Sequence, residues 1–211
     1  MAWQRLGERE PGSDFCLVDH DPQKLGLIPK NPAIQTVQAT AAVFLVDSLE
    51  AKRWPDWIIP AIPRHVAFDW LWRQRPDDEA WGQIPVPLAV GQDLPYVHRG
   101  AEGEVYLSLS MVKCPDDCPE PAEKCYLTGD QRACNLYEYL ENIALQDYTS
   151  LVIRSRQLAP GVGGYRPADL WQLRHQVISL GGKFLISTAC RCHGVSHGLE
   201  KLTGTEAVVG I

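Results

Sequence analysis

Residues 150–188 read SLVIRSRQLAPGVGGYRPADLWQLRHQVISLGGKFLIST, and this stretch decides the predicted fold. It contains an apolar run at 150–153, apolar residues at helical spacing over 168–180, and a second apolar run at 183–188. A proline before the helical run and two glycines after it mark the two ends of a helix. A strand, a helix and a strand in this order predict a right-handed crossover between two parallel strands.

The neighbouring segments extend this pattern towards the N-terminus. Residues 105–112 have the composition of a strand, and residues 136–145 have that of a helix. The sequence therefore predicts an α/β fold in which residues 104–211 form a mostly parallel-sheet lobe with βαβαβ order. Residues 76–103 are rich in proline, glycine and charge, which is typical of a connector.

Residues 1–75 are predicted to form a separate α/β lobe. Short apolar runs at 15–19, 34–38 and 57–59 indicate strands. Residues 40–52 have apolar side chains at helical spacing, and a short helix is expected near the N-terminus.

The segment FCLVDHDP, residues 15–22, resembles the second strand of a Rossmann-type nucleotide-binding domain. It is most similar to the regulatory NAD-binding domains of potassium-uptake proteins, and the resemblance runs from about Ala2 to Trp72. The resemblance implies that Asp19, at the end of the strand, would hold the ribose of a dinucleotide.

The chain departs from that family at its start. The family has a first strand and a G-x-G-x-x-G turn before this point, and Gly7 and Gly12 do not reproduce that spacing. Either the nucleotide site has been lost or the start of the chain is truncated. The lobe is therefore expected to be a degenerate Rossmann-like lobe that does not bind NAD, with Asp19 capping the following turn.

Composition and charge exclude several classes of partner. The formal net charge of -6 argues against a duplex nucleic-acid binder and against a polybasic membrane binder. The N-terminus lacks the apolar core of a signal peptide, and no apolar run approaches the roughly 18 residues of a membrane span. We therefore expect a cytoplasmic protein without nucleic-acid or membrane partners, and a homo-oligomer is one possibility.

The seven cysteines carry the main functional signal. Cys114 follows the predicted strand 105–112, and Cys190 and Cys192 follow the predicted strand 183–188. Because parallel strands end at the same edge of a sheet, we expect these segments to meet there. The predicted metal ligands are Cys114, Cys118, Cys125, Cys190, Cys192 and His193.

The spacings C-x3-C-x6-C and C-x-C-H do not match the paired C-x2-C pattern of a zinc ribbon. Thiolates suit both zinc and iron–sulfur clusters, so the sequence leaves the metal open between these two. The second half also resembles uncharacterised bacterial proteins with the same cysteine pattern, a resemblance that implies no function. Cys16 stands alone and is expected to be a small buried apolar residue.

A glycine- and arginine-rich segment follows the predicted strand 150–153. Backbone amides of such a loop, running into a helix N-terminus, suit an anionic small molecule. The alternative is a turn capped by Asp169. The predicted anion-binding residues are Arg154, Arg156, Gly161, Gly163, Gly164 and Arg166.

Three functions stay open at this point. The chain is an enzyme or electron-transfer component, a regulatory or sensor module with a structural or redox-sensing metal, or a metal-free thiol redox protein. The sequence does not identify a reaction.

Overall fold

A computed structural model describes residues 1–50 and 54–202 of the chain. These residues contain both helices and strands, interspersed along the chain, which confirms the general α/β class. Within the described ranges, every helix is too short or too polar to cross a lipid bilayer. The helices are α1 (Ala2–Arg9), α2 (Pro22–Gly26), α3 (Ala41–Glu50), α4 (Val66–Arg73), α5 (Leu136–Glu141) and α6 (Pro167–Leu180).

The three longest strands lie in the second half of the chain. The strands are β1 (Phe15–Asp19), β2 (Ile34–Gln38), β3 (Trp81–Ile84), β4 (Tyr96–Arg99), β5 (Val105–Ser108), β6 (Tyr148–Arg154), β7 (Arg156–Ala159), β8 (Val162–Gly164), β9 (Gly182–Ala189) and β10 (His193–Lys201).

The main sheet has six strands and is mixed rather than mostly parallel. Its order is β4-β5-β10-β9-β6, and β3 pairs with the second half of β10. Only the β6–β9 pair is parallel among the described strands of this sheet, and α6 supplies its crossover. The other neighbours are antiparallel. For β9 and β10 the reason is local, because a short turn joins them and such turns join antiparallel strands.

Strand β10 is absent from the sequence prediction although it lies at the centre of the sheet. Its two glycines, Gly194 and Gly198, lower its apparent strand propensity. Both are needed for packing: a Cβ on Gly198 would lie 2.3 Å from the carbonyl oxygen of Ile84, and one on Gly194 would lie 2.9 Å from the Cβ of Ala189. The glycines therefore let neighbouring strands and side chains approach β10 closely.

Strands β1 and β2 form a separate two-stranded parallel sheet, in which Phe15 is opposite Ile34. Helix α2 connects them. The predicted third strand at 57–59 makes only one bridge, from Ile58 to Tyr165. The expectation that Cys16 is buried is wrong, because it lies exposed on β1, on the face opposite Phe15.

Two apolar cores flank the main sheet. Phe184 and Ile186 of β9 face α4 and α6, whereas Leu185 faces α5, as the alternation of side chains along a strand requires. Trp70 of α4 is fully buried in the first core. This core also includes Leu49 of α3, so it draws residues from both predicted lobes. The predicted boundaries at 75 and 103 stay predictions.

Candidate metal centre

The cysteines lie at one edge of the main sheet because of the direction of three strands. Strand β10 is antiparallel to both β5 and β9, and β6 is parallel to β9. Strands β5, β6 and β9 therefore run the same way and end at the same edge. Cys114 lies beyond the end of β5, and Cys190 follows β9 directly.

Cys114 and His193 are neighbours at this edge. Sγ of Cys114 lies 3.6 Å from Nε2 of His193. The nearby Cys118, Cys192 and Cys125 each help to raise the pKa of Cys114. The structure thus brings together Cys114, Cys118, Cys125, Cys192 and His193 from segments far apart in the sequence.

Cys190 begins the turn between β9 and β10 and has different surroundings. Its Sγ accepts hydrogen bonds from the backbone N–H groups of Cys192 and His193, both at 3.4 Å. Its own N–H donates to the carbonyl oxygen of His193 at 2.9 Å. The thiol of Cys190 therefore stabilises the turn that presents Cys192 and His193.

Burial keeps most of these groups in their neutral forms. It raises the pKa of Cys114 to about 11 and that of Cys190 to about 12. Burial also raises the pKa of Cys192, although the guanidinium of Arg132 opposes this effect. Burial lowers the pKa of His193. Cys125 is the exception, because hydrogen bonding by Thr128 lowers its pKa.

Two charged residues that the sequence analysis does not single out connect the cysteine segments. An oxygen of Glu120 accepts the backbone N–H of Arg191 at 2.7 Å. The guanidinium of Arg132 donates to Sγ of Cys192 at 2.9 Å. Only the two prolines flanking Glu120 mark its position in the sequence as unusual.

The loop from Cys114 to Cys118 is held from the side by the hairpin β7–β8. The N–H of Gly161 donates to the carbonyl oxygen of Cys118 at 2.9 Å, and the amide of Gln157 donates to the same oxygen at 2.7 Å. From α1, Arg5 donates to the carbonyl oxygens of Asp116 and Pro160. The predicted glycine-rich segment and the predicted cysteine site are thus direct neighbours.

The glycine-rich segment is a hairpin rather than a loop that runs straight into a helix. Asp169 caps α6 by accepting the N–H of Arg166 at 2.9 Å, as the alternative interpretation of this segment expected. A Cβ on Gly163 would meet Ser155, and one on Gly164 would meet the carbonyl of Ile58.

The three predicted anion-binding arginines each have a partner within the chain. Arg154 stacks on Tyr137 and Arg166 stacks on Trp57, with the guanidinium carbon 4.2 Å and 4.4 Å from the ring centroids. Arg156 pairs with Asp169 at 3.3 Å. Anion binding by these residues stays a prediction.

Asp19 ends β1 and makes a local turn. Its Oδ1 accepts the N–H of Asp21 at 2.9 Å, and this hydrogen bond is the main cause of its lowered pKa. Asp21 in turn caps α2 by accepting the N–H of Gln23. Asp19 therefore has the capping geometry that the sequence suggested as the simpler role.

As placed, no three His, Cys, Asp or Glu side chains within residues 1–50 and 54–202 converge tightly enough to hold a metal ion. Within the cysteine cluster, Cys114 and His193 form a pair of potential ligands 3.6 Å apart. Cys134 faces elsewhere and lines an open groove of about 520 Å³ beside α5.

Comparisons with known proteins give a family without an assigned activity. A family described as "Uncharacterized protein, C-terminal domain" matches residues 67–202, a range that contains the whole cysteine site. An "Uncharacterized protein" of Archaeoglobus fulgidus is 28% identical over 198 residues, which are 89% of this chain and 89% of that protein. No solved structure matches the chain. Since the family match spans more than half of its length, the chain belongs to the family described as "Uncharacterized protein, C-terminal domain".

Proposed function

We propose that this protein binds one zinc ion through Cys114, Cys118, Cys192 and His193, and that the ion fastens the cysteine-rich loop to the edge of the main sheet. Four protein ligands fill the coordination sphere of tetrahedral zinc and leave no position for a substrate. The proposed centre is therefore structural or redox-sensing, as in a regulatory module, and does not catalyse a reaction.

The distance between Cys114 and His193 is the observation that carries this proposal. Zn–S and Zn–N bonds of about 2.3 and 2.0–2.1 Å at a tetrahedral angle place the sulfur and nitrogen about 3.6 Å apart. The two atoms lie 3.6 Å apart in the structure. The separation of Cys114 and His193 already suits two ligands of one zinc ion. Zinc binding then requires Cys118 and Cys192 to move closer to these two residues.

The same pair favours zinc over the other two chemistries. Iron–sulfur clusters mostly use four cysteines, whereas here a histidine nitrogen lies 3.6 Å from Sγ of Cys114. A thiol redox protein needs a cysteine that ionises easily, and burial raises the pKa of Cys114 to about 11, although the pKa of the neighbouring Cys125 is lowered. Binding of a metal ion overcomes this raised pKa because the ion replaces the thiol proton.

Metal analysis of the chain purified without air tests the proposal, together with its ultraviolet–visible spectrum. We expect one zinc per chain and no visible colour. The variants C114S and H193Q should lose most of the metal. The matched control C134S changes a cysteine that faces the groove beside α5 and should keep it.

Two results would contradict the zinc proposal. Broad absorbance near about 400 nm with bound iron would indicate an iron–sulfur cluster. A metal-free chain that forms a reversible disulfide between Cys114 and Cys118 would indicate a thiol redox protein.

A further inference from the structure

Glu120 has an unusual backbone conformation at the edge of the cysteine site. Its φ is +47°, in the left-handed region that residues with a Cβ seldom adopt. It lies between Pro119 and Pro121, which restrict the chain on both sides. A residue held in such a conformation needs compensating contacts, and these are found at its carboxylate.

The carboxylate of Glu120 contacts the turn that connects β9 and β10. Its Oε1 accepts the N–H of Arg191 at 2.7 Å. It also lies near the thiol of Cys190 and helps to raise the pKa of that thiol. Both partners belong to the turn that carries Cys192 and His193, so Glu120 links this turn to the loop that carries Cys114 and Cys118.

Arg132 reinforces the same link from the other side. Its Nη1 donates to the carbonyl oxygens of Pro121 and Ala122 at 2.7 and 2.9 Å. Its Nη2 reaches Sγ of Cys192. The chain immediately after Glu120 is thereby fixed relative to one of the proposed zinc ligands.

We propose that Glu120 is a positioning residue that anchors the Cys190–His193 turn to the cysteine-rich loop, and that Cys190, whose Sγ accepts the N–H groups of Cys192 and His193, stabilises this turn and is not a zinc ligand. This inference rests on the proposed function for the identity of the ligands. The anchoring of the turn by Glu120 is independent of the metal. Residues that orient metal ligands in this way commonly change metal affinity by about 10–100-fold when they are removed.

Three substitutions at Glu120 separate anchoring from backbone strain. We expect E120A to weaken zinc binding by about 10–100-fold in a chelator competition. E120Q keeps an oxygen that accepts the N–H of Arg191 and should stay close to the wild type. E120G relieves the strained φ but removes the carboxylate, so it should bind zinc as weakly as E120A even if it unfolds at a higher temperature. If relief of strain restored the zinc affinity in E120G, Glu120 would not act through its carboxylate.

Substitution of Cys190 tests the second half of the inference. The variant C190A should still bind one zinc per chain, and its cobalt-substituted form should keep the charge-transfer and ligand-field bands of the wild type. The variant C192A, which removes a proposed ligand, should change those bands. A C190A chain that loses its metal would overturn the assignment of Cys190.

Amide hydrogen exchange of Arg191 distinguishes failure of this inference from failure of the proposed function. If the wild type binds no zinc, the proposed function fails, and exchange in the metal-free chain still tests the anchor. We expect the Arg191 amide to exchange about tenfold faster in E120A than in the wild type, and E120Q to resemble the wild type. Equal exchange rates in all three chains, or equal zinc affinities of E120A and a zinc-binding wild type, would overturn the role of Glu120.

Discussion

His65 and His197 meet in the main core, with their Nδ1 atoms 3.0 Å apart. Both are buried, and His197 stacks on Phe68 at a ring distance of 4.1 Å. The other ring nitrogen of His65 lies 3.1 Å from the hydroxyl of Thr188. One Nδ1 must donate and the other accept, so the contact requires at least one of the two rings to be neutral.

The charged groups near His65 and His197 do not offset the free-energy cost of protonating a buried histidine. Burial lowers the pKa of both histidines, and that of His197 falls to about 4. The charged groups facing His197 are Arg64, Asp69, Glu102 and Glu104, and Arg64 pairs with Asp69 and Glu102. The three acidic groups raise the pKa of His197, but burial outweighs them.

We predict that the protein loses stability as the pH falls from about 6.5 to about 4. Because the folded-state pKa of His197 is below its unfolded value, the unfolded chain binds more protons in this window. The contribution of His197 is fully present above about pH 6.5, and its loss reaches about 3 kcal/mol near pH 4. Urea unfolding at a series of pH values measures it.

Two variants define the source of this pH dependence. H197Q keeps a hydrogen-bonding side chain that does not titrate, so it should flatten the stability profile. H175Q changes an exposed histidine on α6 and should leave the profile unchanged. A profile that is equally steep in H197Q would exclude His197 as its origin.

Ser187 and Ser196 form a second buried polar contact, on the opposite face of the sheet. Their hydroxyl oxygens lie 2.7 Å apart and both side chains are fully buried. We predict that S187A costs about 1–3 kcal/mol, because it leaves the hydroxyl of Ser196 without a partner. The double variant S187A/S196A should cost less than the sum of the two single variants, and additive losses in a double-mutant cycle would contradict this coupling.

At the level of elements, the hairpin β7–β8 supports the cysteine-rich loop through one glycine. Gly161 has φ +69°, and a Cβ there would lie 1.6 Å from the carbonyl oxygen of Asp116. We predict that G161A lowers the free energy of unfolding by more than the roughly 1 kcal/mol that positive φ costs an alanine. Thermal or urea unfolding of the variant gives this value.

Gly103 provides the matched control for the free-energy cost of placing an alanine at positive φ. It has φ +90° and no atom within 4 Å of an added Cβ. G103A therefore carries the backbone cost without the clash, and the difference between the two variants measures the close approach of Asp116. Equal losses would show that the loop moves aside at no cost.

The elements also show where sequence patterns are sufficient and where they fail. Helix α6 and strands β6 and β9 follow the predicted boundaries closely, because their apolar periodicity and their flanking glycines and prolines agree. Strand β10 was missed because its glycines serve neighbouring strands, which no local pattern reveals. The hairpin β7–β8 was predicted as a loop for a similar reason, since its glycines are required by contacts with distant residues.

For the whole molecule, strand direction was the part of the site that could be predicted. The segments with Cys114 and Cys190 meet at one edge because β5 and β9 run the same way, although an antiparallel strand lies between them. Which cysteines are proposed as ligands and which one stabilises the turn could not be predicted from the sequence. This depends on Glu120 and Arg132, whose long-range hydrogen bonds follow from the fold.

We predict that zinc raises the thermal stability of the whole chain. The proposed ligands come from two segments that are joined only through the folded sheet, so the ion should bind the folded state far better than the unfolded state. At about 1,000 times the dissociation constant, the gain is about 4 kcal/mol. Calorimetry with zinc and with a chelator measures this gain, and C114S should show almost none.

The short turn between β9 and β10 also limits where insertions and deletions can occur in this protein during evolution. Ala189 pairs with Gly194, so only Cys190–His193 lie between the paired residues. One inserted codon after this turn would shift the register by one residue and move His197 and Leu199 to the opposite face of the sheet. In an alignment of relatives that keep this fold, insertions and deletions should therefore be missing between 182 and 201.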